Sequence, residues 1–139
     1  MQVLYTASAT ATGDGRNGHV RSADGVLDFD LAVPKEMGGP GGELPNPEEL
    51  FAAGYAACFH GALKAVARSK KITLTDTAIT VDVGIGPDGH GGFQLTAGIE
   101  AELPSVSPEE GRELLDAAHQ VCPYSNATRG NIDVNLSLA

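Results

Sequence analysis

The chain has 139 residues, 42% hydrophobic and 19% charged, with a net charge of −9 at neutral pH. That length suits one domain, 1–139, and is enough to bury roughly two-thirds of the unfolded surface. The acidic balance leaves no electrostatic footprint for nucleic acid or an anionic membrane. The opening MQVLYTASATATGDG lacks a basic segment followed by an apolar run, and no window is expected to reach the roughly 18 apolar residues of a transmembrane helix. The expectation is a cytoplasmic protein.

The first third reads as antiparallel strands. Residues 3–12 have strand-like content, Gly13-Asp14-Gly15-Arg16-Asn17-Gly18 is a turn by composition, and residues 19–22 continue the sheet. After the turn Ala23-Asp24-Gly25, Leu27, Phe29 and Leu31 alternate with Asp28 and Asp30, which gives one buried and one wet face. Residues 34–47 form a glycine-rich loop of a length that is usually functional or disordered. Asn46 followed by Pro47 starts a helix, and the helix should run to about Ser69 with its cations gathered at the end. Its middle is apolar on every side, as expected of a helix wrapped by other structure.

Ile79, Val81, Val83 and Ile85 alternate as a strand, GPDGHGG turns the chain, and Phe93, Leu95, Ala97, Ile99 and Ala101 alternate back. Ser107-Pro108-Glu109-Glu110 opens a second helix ending near Val121, a loop carrying Cys122 follows, and residues 132–138 form a last strand. The order βββ-α-ββ-α-β is that of an α+β domain with sheets packed around helices.

The candidate chemistry rests on the only two cysteines. Cys58 lies in the small-residue helix LFAAGYAACFHGALKAVA, where a buried thiol is normally inert and its pKa raised. Cys122 lies in VCPYSNATRGNIDV, at a helix-to-loop junction expected to be constrained and partly open. In a reducing compartment such a pair is more readily redox-active than structural. A plain core thiol is the simpler account of Cys58 alone, as a solvated loop residue is of Arg16 and a dipole partner or cap is of Glu48. Should Arg16 and Glu48 converge on Cys58, they gain a purpose. A guanidinium favours the thiolate, and a carboxylate holds the guanidinium in place. No metal site is expected: His19, His60, His90 and His119 show neither C-x-x-C nor H-x-x-x-H spacing.

Three stretches carry a family resemblance: residues 5–20 (YTASATATGDGRNGHV, with Asp14 as a local difference), NPEELFAAGYAACFHGAL at 46–63 and VCPYSNATRGNIDV at 121–134. On these the chain resembles the organic hydroperoxide resistance proteins of the OsmC superfamily over essentially its full length. The resemblance implies an OsmC-like α+β fold, with antiparallel sheets wrapped around central helices, in an intertwined homodimer. It implies a thiol-dependent peroxidase without cofactor. By position, Cys58 matches the peroxidatic cysteine, Cys122 the resolving cysteine, and Arg16 and Glu48 the residues that tune the thiolate. It further implies an organic hydroperoxide substrate, a Cys58–Cys122 disulfide in the cycle, and a dithiol reductant such as the dihydrolipoyl groups of lipoylated proteins.

The rival readings are a peroxidase of the other OsmC branch and a non-catalytic protein that binds hydrophobic small molecules. A redox-sensing DNA regulator is disfavoured by the acidity and the lack of a helix-turn-helix pattern. Helix geometry adds one expectation. Glu48 and Cys58 are ten residues apart, about 15 Å along a straight helix, so they cannot both serve one arginine within a chain unless the helix start is bent. Ala52-Ala53-Gly54 would let a second copy approach, which predicts an obligate homodimer with Glu48 acting across the subunit boundary on Cys58, together with Arg16 of its own chain.

Overall fold

The computed structural model describes residues 1–139, which gather into two compact units, Met1–Leu50 and Phe51–Ala139. In the first, β1 (Ala9–Thr12), β2 (His19–Ser22) and β3 (Asp28–Asp30) form an antiparallel sheet in that order, with Val20 opposite both Ala11 and Phe29. The expected strand from residue 3 is shortened to Ala9, because its partner runs out. Ala9 pairs with Ser22, the last residue of β2, and the turn begins there. Residues 1–8 are exposed and outside regular structure.

Between β1 and β2 the predicted turn contains one turn of 3-10 helix, Gly15–Asn17. Gly18 closes it where only hydrogen fits, since a Cβ there would lie 2.3 Å from the Thr12 carbonyl oxygen. Asn17 Oδ1 accepts from the Val33 N–H at 2.8 Å, fastening the turn to the chain beyond β3. On the sheet, His19 places one ring nitrogen 2.7 Å from Asp30 and the other 2.6 Å from Asp28. Those two hydrogen bonds raise the His19 pKa, because only the imidazolium can donate to both carboxylates.

Helix α1 spans Pro47–Ser69, the bounds expected from Asn46-Pro47 and the terminal cations. Asn46 caps it twice over, its Oδ1 accepting from the Glu49 N–H at 2.8 Å and its Nδ2 donating to Glu49 Oε1 at 2.9 Å. In the second unit, β4 (Ala78–Pro87) and β5 (Phe93–Glu102) form a ten-rung antiparallel ladder. The last strand, β6 (Val134–Leu138), pairs with β5 in parallel, unlike every other pairing in the molecule. The intervening helices α2 (Pro108–Val121) and α3 (Pro123–Thr128) supply the long crossover that a parallel neighbour requires. Helix α3 occupies what was expected to be loop: Pro123 ends α2 and then serves as the first residue of a new helix.

Tyr55, Phe59, Leu63 and Ala67 recur every fourth residue on α1 and join Val81, Ile99, Leu114, Leu115 and Ala118 in one core. Contrary to the sequence expectation, α1 is long and apolar enough to cross a membrane by length and composition, with a mean hydropathy of 1.3 over 18 residues. Its Tyr55–Ala67 face is accounted for as the core helix of this unit. The helix is not covered all round, however. Ala53, Ala57, Gly61 and Ala65 form an exposed stripe, and only 28% of the apolar window is buried within the chain.

Leu114 has no exposed surface at the centre of this core. Leu114→Ala should lower unfolding stability by about 2–5 kcal/mol, read from the urea midpoint at unchanged slope. A loss below about 1 kcal/mol would show that α2 is not clamped there.

Candidate active site

The structure brings the four candidate residues together as two pairs, one in each unit. In the first unit, Arg16 is presented by the 3-10 turn that Gly18 closes. Its Nη1 donates to both carboxylate oxygens of Glu48, at 2.9 and 3.1 Å. The Glu48 side chain is 12% exposed and that of Arg16 43%, so the carboxylate is the sheltered partner. Because one nitrogen serves both contacts, the remaining guanidinium donors stay available. Neighbouring Glu49 is occupied with the Asn46 cap. Two adjacent carboxylates thus have separate tasks, about 100° apart around the helix.

In the second unit the two thiols face each other, with Cys122 Sγ 3.6 Å from Cys58 Sγ and no disulfide between them. Their burial is the reverse of the sequence expectation. Cys122 has no exposed surface and belongs to the core, whereas Cys58 is half-buried at its margin. The reason is α3. Cys122 is at once the C-cap of α2 and the N-cap of α3, and the second helix folds over the junction that an open loop would have left uncovered.

Burial pushes the Cys58 thiol above its ordinary value; a hydrogen bond from the Tyr124 backbone N–H opposes this, and the adjoining Cys122 sulfur adds to it. A thiolate at Cys58 would need a positive charge beside the sulfur. Three aromatic rings meet between α1 and α3: Tyr124 stands 6.2 Å from Phe51 and 5.7 Å from Tyr55, centroid to centroid. Gly54 makes room for it, since a Cβ there would meet the Tyr124 hydroxyl at 2.9 Å. The smallness of Gly54 thus serves Tyr124 of its own chain, and of the Ala52-Ala53-Gly54 segment Ala53 alone is fully open.

Tyr124 is not among the candidate residues read from the sequence. A signal for it was present. Cys122-Pro123 repeats the cap-then-proline pattern of Asn46-Pro47, and the N–H groups of a first helical turn are free to donate.

Residues 39–137 match the family model for OsmC-like protein. An organic hydroperoxide resistance protein of Xanthomonas axonopodis pv. citri is 55% identical, over 99% of this chain and 96% of its own. The organic hydroperoxide resistance protein OhrB of Bacillus subtilis is 49% identical, over 97% and 98%. The crystal structure of an organic hydroperoxide resistance protein from Elizabethkingia anophelis superposes with a TM-score of 0.95 at 54% identity, over 100% of this chain and 99% of the other. The α+β architecture and the two sheets agree with those relatives, and the chain belongs to the OsmC-like family as one of its organic hydroperoxide resistance proteins.

Proposed function

We propose that this chain is a thiol-dependent peroxidase that reduces alkyl or lipid hydroperoxides in the cytoplasm. The observation that carries the reading is the 3.6 Å approach of two free sulfurs, one half-buried and one sealed. The Cys58 thiolate attacks the distal oxygen of ROOH; the O–O bond breaks, the alkoxide takes a proton and leaves as ROH, and Cys58 becomes a sulfenic acid. The Cys122 thiol then attacks the Cys58 sulfur, forming the disulfide and releasing water. The sulfurs close from contact to about 2.05 Å in this step. An external dithiol, by family resemblance a dihydrolipoyl group, exchanges with the disulfide and restores both thiols. Cys58 packs at the margin of an apolar core, a setting that suits an organic peroxide.

The raised Cys58 thiol needs a cation, and the Arg16–Glu48 pair is the one built to supply it. Arg16 stabilises the thiolate and the charge developing on the leaving oxygen, and Glu48 holds the guanidinium. We assign that pair to the opposite subunit of a homodimer, so that Cys58 is served by the partner subunit's Arg16 and the partner subunit's Glu48. Helix α1 is unbroken over Pro47–Ser69, the condition on which the argument for a partner-donated Glu48 rests. The exposed Ala53–Ala65 stripe and β1, exposed along its whole length, are surfaces that a second copy would cover.

Mixing reduced protein with cumene hydroperoxide in a stopped-flow instrument tests the reading. Thiol loss no faster than that of free cysteine would leave a hydrophobic binding protein. Cys58→Ser should abolish turnover, and Cys122→Ser should reduce one equivalent of peroxide and then stall. Normal cycling of Cys122→Ser with a dithiol would remove it from the resolving role.

Arg16→Ala should raise the Cys58 pKa and slow peroxide reduction on the order of 10²–10³-fold, the usual cost of one lost transition-state donor. Arg16→Lys should recover little, because an ammonium cannot reproduce the planar fork. A wild-type rate for Arg16→Ala would return the residue to a solvated loop.

Subunit exchange tests the trans assignment. A heterodimer of Glu48→Ala with Cys58→Ser keeps one complete site and should show about half of wild-type activity. If activity falls to that of Glu48→Ala at one site, the pair acts within its own chain.

A further inference from the structure

Beyond the thiols, one buried polar cluster has no part in the scheme above. Tyr55 and Ser125 have no exposed surface and Thr128 is 3% exposed, yet all three hydroxyls meet in the core. The Tyr55 hydroxyl lies 2.8 Å from Ser125 Oγ and 3.2 Å from Thr128 Oγ1, and Ser125 Oγ lies 2.8 Å from His119 Nδ1. Thr128 donates its proton to the Ser125 carbonyl at 3.1 Å. With that proton committed, one consistent arrangement satisfies every contact. His119 donates from Nδ1 to Ser125, Ser125 to Tyr55, and Tyr55 to Thr128. Burial and the nearby Arg129 lower the His119 pKa and keep the ring neutral, as the arrangement allows. No buried side-chain polar atom is left without a partner.

The placement of this chain of hydroxyls matters. Tyr55 is one helical turn before Cys58 on α1, and Ser125 is one turn after Cys122 on α3. The hydrogen bond between them therefore joins the same two segments that the disulfide would join. Helix α3 has six residues, too few to hold itself, and it hangs from Cys122, whose extended backbone is the joint with α2. Swinging α3 about that joint would leave the Tyr55 and Ser125 hydroxyls unpaired in a dry core, which is costly.

Resting on the peroxidase reading, we propose that Ser125 is a positioning residue for the resolving step. Pinned between Tyr55 and His119, it keeps Cys122 against Cys58 so that the sulfenic acid is captured as a disulfide before a second peroxide oxidises it further. The hydrogen bonds of the cluster include neither sulfur, so removing one of them should leave attack by Cys58 unchanged.

The test separates the two steps in a single turnover. Cumene hydroperoxide consumption reports the first; dimedone trapping of the sulfenic acid and intact mass report the second. Ser125→Ala and Tyr55→Phe should keep the first rate within about twofold, slow disulfide formation about tenfold, and raise the sulfinic fraction, as expected for loss of one buried hydrogen bond. Tyr55 keeps Thr128 in the Ser125→Ala protein, and Tyr55→Phe keeps the ring packing, so at least one variant should fold. Leu114→Ala, a core variant that removes no hydrogen bond of the cluster, should lower stability without slowing capture. Wild-type partitioning in both variants, or equal slowing in Leu114→Ala, overturns the assignment. Absence of any peroxide-dependent sulfenic acid in the wild type overturns the peroxidase reading, and this inference with it.

Discussion

A thiol at the edge of an apolar core resists ionisation, and the proposed chemistry turns on overcoming that resistance at Cys58. Burial works against the thiolate there, and one backbone N–H from Tyr124 works for it. The proposed source of positive charge is Arg16, on a turn whose geometry is fixed by Gly18 and Asn17 and whose arginine is steadied by Glu48. In the proposed scheme the thiol is quiet until a cation reaches it, and a quiet thiol is spared random oxidation in the meantime.

The same constraint explains the division between the two cysteines. In the proposed scheme the group that meets peroxide must be reachable, and Cys58 is half-exposed. The group that would capture the sulfenic acid gains nothing from exposure, because its reaction partner is already in contact with it. Sealing Cys122 under α3 leaves it with one available electrophile, the oxidised neighbour. In that scheme selectivity comes from access, with no special reactivity asked of the second sulfur.

Much of this was legible in the sequence. Asn46-Pro47 and Ser107-Pro108 marked both long helix starts, because a side-chain acceptor followed by proline is a local instruction that tertiary packing has no reason to override. The alternation in β4 and β5 likewise reported one buried face. What escaped notice depended on partners distant in sequence. The length of β1 was set by where β2 stops, and the direction of β6 by the crossover through α2 and α3. Cys122 was read as partly open because α3, six residues long, is too short to leave a periodic signal. Of the candidate site, the residue types and the two pairs came from the sequence and its family likeness. The Tyr55–Ser125–His119 connections, spanning 70 residues, could not.

The reciprocal cap of Asn46 and Glu49 has a meaning for the loop that precedes it. By defining where α1 begins, it resets the phase of the helix irrespective of the path by which the chain arrives. Glu48 and every later position on α1 inherit their rotation about the axis from that one mark. The glycine-rich segment before Asn46 is thereby relieved of any duty to deliver the helix in register. Insertions or deletions between residues 36 and 44 would change the outline of the molecule's surface while leaving Glu48 aimed as it is, so this is where sequence drift can accumulate without reaching the chemistry.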